Sequence, residues 1–111
     1  MSYRELDPKA YQAEYQGNEE AVLLDVRTPE EYEAGHIEGA QLININDPSF
    51  VEKVAALDPG KTYYINCRSG ARSGRACQYM ASKGFAKTIN LSGGILAWED
   101  AGLPTKEGMD A

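Results

Sequence analysis

Cys67 follows the apolar run Thr62-Tyr63-Tyr64-Ile65-Asn66 and opens the segment Cys67-Arg68-Ser69-Gly70-Ala71-Arg72-Ser73-Gly74-Arg75. A helical pattern through Ala76, Cys77, Met80 and Ala81 comes next. A cysteine between a strand and a helix N-terminus faces backbone N–H groups with no intrahelical partner, at the end of the helix dipole that favours negative charge. Both effects stabilise a thiolate, and the thiolate is the nucleophile. Arg68, Arg72 and Arg75 add positive charge, and Gly70 and Gly74 permit a tight loop whose backbone approaches an anion. A free thiol with a pKa of about 8.5 is only ~3% ionised at pH 7, and lowering it by about two units would ionise roughly three-quarters of it. Ser69 and Ser73 are placed to donate hydrogen bonds to a bound anion, to cap the helix, or both.

Other candidates have more ordinary readings. Asp25 and Arg27 end the apolar run Ala21-Val22-Leu23-Leu24 and either line the site or, as a strand-end ion pair, buttress the loop; buttressing is the reading favoured here. His36 is the single histidine, but a preformed thiolate needs no separate base. Cys77 shares a helical face with Met80 and Ala81 and reads as core. Trp98 reads as packing with Leu96 and Leu103.

These residues need elements to position them. Tyr3 to Leu6 predicts a short first strand. Asp7-Pro8 predicts a helix through about Tyr15, with Asp at the cap and Pro in the first turn. A strand over residues 21–26 follows. Thr28-Pro29-Glu30-Glu31 then opens a short helix that stops near Gly35. Gln41 to Ile45 reads as a buried strand, and Asp47-Pro48 opens a helix through about Leu57. Strand Thr62 to Asn66, the arginine-rich helix with Gly84 past its end, strand Thr88 to Leu91, and a short helix around Trp98 after Gly93-Gly94 complete the pattern. This alternation predicts an α/β fold, a mainly parallel central sheet with helices on both faces. Ligands bind outside the carboxyl ends of such strands, where Asp25 and Cys67 both fall. Residues 1–104 are expected to form one domain and residues 105–111 a flexible C-terminal tail.

Charge is unevenly spread over the 111 residues, whose net charge is −6. Residues 1–58 hold thirteen acids and four bases, whereas residues 59–98 hold six bases and no acid. An acidic chain with a local basic segment suits a small anion and excludes broad nucleic-acid binding. Two cysteines with nine residues between them make neither a disulfide framework nor a zinc pattern. No apolar run reaches membrane-spanning length and the N-terminus lacks a signal core, so no membrane partner and a cytoplasmic location are expected.

Several motifs together resemble a known family. Leu24-Asp25-Val26-Arg27-Thr28-Pro29-Glu30-Glu31-Tyr32, Gly35-His36-Ile37-Glu38-Gly39-Ala40, Cys67 to Ser73, Gly93-Gly94-Ile95-Leu96-Ala97-Trp98 and Ala101-Gly102-Leu103-Pro104 are similar to the motifs of single-domain rhodaneses, in that family's order. The resemblance implies sulfur transfer from a small anionic donor, thiosulfate or another sulfane compound. Cys67 would carry the sulfur as a persulfide, and a thiol, cyanide or a protein cysteine would accept it. It also implies that the Arg68–Ser73 amides cradle the anion, that Arg68 and Arg72 neutralise it, that His36 is structural, and that no metal or organic cofactor is needed. Two other function classes stay open. A cysteine phosphatase or arsenate reductase needs arginine six positions after the cysteine, where this chain has Ser73. A non-catalytic module of the same fold often lacks the cysteine that is present here.

Overall fold

The computed structural model describes residues 3–109. Its elements run β1 (Arg4–Leu6), α1 (Pro8–Gln16), β2 (Ala21–Asp25), α2 (Pro29–Ala34), β3 (Gln41–Leu42), α3 (Phe50–Ala55), β4 (Thr62–Asn66), α4 (Ala71–Ser82), β5 (Thr88–Leu91) and α5 (Gly94–Asp100). The five strands form one sheet in the order β1-β5-β4-β2-β3, and every neighbouring pair is parallel. This is the expected α/β architecture.

Alternation along the strands feeds two cores. On one face Leu24, Tyr63 and Ile65 pack with Phe50 and Val54 of α3 and with Ala76, Cys77 and Met80 of α4. On the other face Tyr64, Ile89 and Leu91 pack with Tyr11 of α1, Tyr32 of α2, and Ile95 and Trp98 of α5. Because β4 is buried along its whole length, its sequence reads as a continuous apolar run.

Local signals account for most helix ends. The Asp7 carboxylate accepts from the Ala10 amide at 2.9 Å, with Pro8 in the first turn of α1. Thr28 and Glu31 form a reciprocal capping box on α2. After α4, Gly84 takes a φ of +97°, and the amides of Gly84 and Phe85 return to the carbonyls of Ala81 and Met80.

Three expectations change. The strand predicted over residues 41–45 is regular only at Gln41–Leu42. Beyond that the Ile43 and Ile45 amides donate to the carbonyls of Asp25 and Val26, and the chain leaves the sheet edge toward α3. Asp47 does not open α3; its carboxylate accepts from the Ser49 amide and hydroxyl in a local turn, and the helix begins at Phe50. The segment 105–111, expected to be loose, is fastened over part of its length. Lys106 and His36 exchange backbone hydrogen bonds of 2.8 and 2.9 Å, and the Gly108 amide donates to the Glu33 carbonyl at 2.9 Å. Residues 110 and 111 lie outside the described residues. Among the described residues, no helix is long and apolar enough to cross a membrane.

Candidate active site

β2 and β4 lie side by side, yet the chain leaves β2 toward β3 and leaves β4 toward β5. The ends of these two strands therefore flank the point where the sheet's winding reverses, the usual ligand position in open parallel sheets. Asp25 pairs in register with Asn66, and Cys67 follows at once.

Neither α4 nor α5 has a side-chain cap at its N-terminus. Their free amides are used on the loop instead. The Gly70 amide donates to Cys67 Sγ at 3.0 Å, so the sulfur itself accepts at the start of α4. The Ile95 and Leu96 amides of α5 donate to the carbonyls of Cys67 and Arg68 at 2.9 and 3.1 Å. Loop carbonyls thus turn toward α5, while the Gly70 amide turns toward the sulfur. The close approach depends on Gly94. At its φ of +64° a Cβ would lie 2.3 Å from the Arg68 carbonyl oxygen, so no larger residue fits without moving the loop.

Cys67 is only 1% exposed. Burial alone would push its thiol up. The Ser73 hydroxyl and the amides of Ser73, Gly70 and Ser69 outweigh burial, and the net shift is downward. Ser73 Oγ lies 3.3 Å from Sγ and 2.5 Å from Asn90 Oδ1. Asn90 Nδ2 in turn donates to Glu5 Oε2 and to the Gly70 carbonyl, each at 3.1 Å. Cys77 has the opposite setting. It is fully buried and its thiol is pushed up to about 12, chiefly by burial.

The sequence-predicted residues divide. Cys67, Gly70 and Ser73 meet around the sulfur, and the Ser69 amide contributes to it. Ala71 opens α4 at the surface. Arg68 is exposed and lines, with Arg27, Glu31, Leu96 and Glu99, a cavity of about 200 Å³ beside the loop. The Arg72 guanidinium, expected on the anion, is bound in both arms by Glu31 at 2.8 and 2.9 Å. That pairing, with the hydrogen bonds from Thr28, holds the Glu31 carboxyl down at about 2. Asp25 and Arg27 form a buried two-armed ion pair at 2.9 and 2.7 Å, and Arg27 also donates to the Gly35 carbonyl at 2.7 Å. This arrangement suits the buttressing reading. His36 stacks on Tyr32 at 3.7 Å, and its Nδ1 donates to the Tyr32 carbonyl at 2.8 Å, a structural setting. Trp98 is core and packs with Leu103, but Leu96 is 41% exposed rather than packed with it.

Glu31, Asn90, Glu5 and the Gly93-Gly94 pair were not singled out from the sequence as site residues. Glu31 was legible only as a helix-start acid. The adjacent glycines before α5 were the available signal that two backbones come close.

Comparison with known proteins gives a consistent picture. A family model described as a rhodanese-like domain matches residues 7–101. The Bacillus subtilis (strain 168) protein YtwF is 39% identical over 104 residues, covering 94% of this chain and 98% of the relative. A protein named sulfurtransferase from Allochromatium vinosum is 34% identical over 100 residues, covering 90% and 92%. The crystal structure of a rhodanese-related protein from Thermoplasma volcanium superposes with a TM-score of 0.82 at 28% identity, covering 94% of this chain and 98% of that one.

Proposed function

The chain belongs to the rhodanese-like domain family and has relatives named as sulfurtransferases, and from that premise we propose that Cys67 carries a sulfane sulfur taken from thiosulfate or a related donor. The Cys67 thiolate attacks the outer sulfur of thiosulfate. The bond between the two donor sulfurs breaks, its electron pair leaves with sulfite, and Cys67 becomes a persulfide anion. An acceptor thiolate then attacks the outer persulfide sulfur, takes it, and leaves the Cys67 thiolate restored. Cyanide would accept in the same way and leave as thiocyanate. No electron is gained or lost overall.

One observation carries this reading. Cys67 Sγ sits at the start of α4 as acceptor of the Gly70 amide and beside the Ser73 hydroxyl. The Gly70 amide is already in place to stabilise the thiolate and the persulfide, and the Ser73 hydroxyl is within reach to join it. Asp25 and Arg27 support the loop from β2, and Arg68 is the exposed cation at the loop's edge. The amides of residues 68–73 are the proposed cradle for the anion. Arg72, engaged with Glu31, contributes positive potential rather than direct contact. A phosphatase loop needs an arginine over three equatorial oxygens. Here the sixth residue after the cysteine is Ser73, on the sulfur, and Arg72 turns to Glu31.

The test is an intact mass spectrum after incubation with thiosulfate. Addition of one sulfur, removed by cyanide or a reductant, is the expected result. Cys67→Ser should show none, whereas Cys77→Ser should load normally. Sulfur loading by Cys67→Ser, or Cys67-dependent hydrolysis of aryl phosphates by the unaltered chain, would overturn the reading.

A further inference from the structure

Asn90 has one way of satisfying its contacts. Its Nδ2 donates to two acceptors, the Glu5 carboxylate and the Gly70 carbonyl, each at 3.1 Å. An amide oxygen turned toward them would meet lone pairs on both. The side chain is therefore locked with Oδ1 toward Ser73, 2.5 Å from its Oγ, and Oδ1 can only accept. Ser73 Oγ also lies 3.3 Å from Cys67 Sγ. A hydroxyl carries one proton, and Asn90 Oδ1 and the Cys67 thiolate both want it. With the neutral thiol there is no conflict, because the S–H donates to Ser73 and Ser73 donates to Asn90. Ionisation removes the thiol proton and turns the hydroxyl toward sulfur. Oδ1 is then left against the lone pairs of Ser73, and the lock prevents its amide from flipping to relieve them.

We propose that Asn90 is a positioning residue that holds the Ser73 proton away from sulfur and so sets how readily Cys67 becomes the nucleophile. The inference rests on Cys67 being the reactive thiol, but its readout requires no sulfur to move. The other charged or titratable groups around the sulfur are Arg68 in the loop, Arg72 with Glu31, Asp25 with Arg27, and Cys77 on α4. Tyr3 and Glu5 act from β1 and the residue before it, with Tyr3 hydrogen-bonded to Glu5. None of these hydrogen-bonds the Ser73 hydroxyl, so the competition reduces to Ser73, Asn90 and Cys67.

The test is a double-mutant cycle on the full chain, with the Cys67 thiol titrated through its Cβ carbon resonance. Asn90→Leu keeps the side chain's bulk and removes the competing acceptor. It should lower the Cys67 pKa by about one unit, a tenfold gain in thiolate at a pH below both midpoints. Ser73→Ala should raise the pKa, and Asn90→Leu should change nothing further in that background. An unchanged or raised value in Asn90→Leu, or the same shift with and without Ser73, would overturn the proposal. If Asn90→Leu does not fold, the unaltered chain decides. The Asn90 side-chain amide signals should titrate with the Cys67 midpoint and become flat in Cys67→Ala, and a flat response in the unaltered chain would overturn the proposal. A Cys67 that titrates as described yet never gains sulfur defeats the sulfur-transfer reading alone. A Cys67 that loads sulfur while ignoring Asn90 defeats this one alone.

Discussion

Cys67 and Cys77 are both buried, yet their surroundings act on them in opposite directions. Cys67 lies where two helix starts meet a loop, and hydroxyl and amide donors offset its burial. Cys77 faces Met80 and the sheet with little to offset it. The sequence separated the two for these reasons: glycines and arginines surround one, and an apolar helical face holds the other. The consequence for Cys77 is measurable. A folded pKa raised to about 12 from an ordinary 9.0 gives stability that is fully present below the ordinary value and is lost as pH rises through the folded one. Tyr11 and other buried tyrosines add to alkaline instability in the same direction. Cys77→Ala removes only its own part. Denaturant midpoints measured between pH 8 and 11 should therefore fall less steeply in Cys77→Ala, after a constant loss of roughly 1 kcal/mol or more for the truncated side chain. Equal slopes would show that Cys77 ionises as freely folded as unfolded. For Cys67 the sign reverses. A depressed pKa stabilises the fold above the ordinary thiol range, and sulfur loading should keep its rate below that range until pH falls through the folded value.

At the scale of elements, α2 and α5 hold the loop from two sides. Glu31 belongs both to the α2 cap and to Arg72, and Glu31→Gln separates these roles, since glutamine also completes a capping box. The half-buried ion pair should cost about 0.5–1 kcal/mol at pH 7 when its charge is removed. Because the Glu31 carboxyl is held at about 2, against an ordinary 4.5, its contribution is present above the ordinary value and lost as pH falls through 2. Stability curves of the two proteins should therefore converge toward pH 2. Gly94→Ala tests α5. Its methyl would strike the Arg68 carbonyl, and a left-handed backbone adds roughly 1–2 kcal/mol. Sulfur loading should slow by at least about tenfold, as small displacements of reacting groups do, while circular dichroism stays native. Unchanged loading would show that α5 does not set the loop. Element types and order were legible because caps and apolar runs are local signals. The Glu31–Arg72 pair was not, because its partners are 41 positions apart and only the fold brings them together. The shortened β3 escaped for a related reason: residues 43–45 are apolar enough for a strand but follow the loop into α3.

The whole molecule is a single parallel sheet between two cores, closed at one end by the Lys106–His36 backbone pair. Truncation after Pro104 should cost about 1–2 kcal/mol and lower the melting temperature by roughly 4–10 °C, read by thermal denaturation. Sulfur loading should persist, because the lost contacts are to the α2 end and not to the loop. A truncated chain that melts like the full one would show the strap to be idle. The backbone hydrogen bonds of Lys106 and Gly108 were not legible in the sequence, because no residue type announces them. The parallel order has a last consequence, for biosynthesis. β1 pairs only with β5, some eighty residues further along the chain, so the sheet closes only after both have left the ribosome, and residues 90 to 96 shape the surroundings of Cys67 only then. The setting of Cys67 is thus completed only when β5 and α5 dock, and a chain that still lacks them has neither Asn90 beside Ser73 nor the α5 amides on the loop.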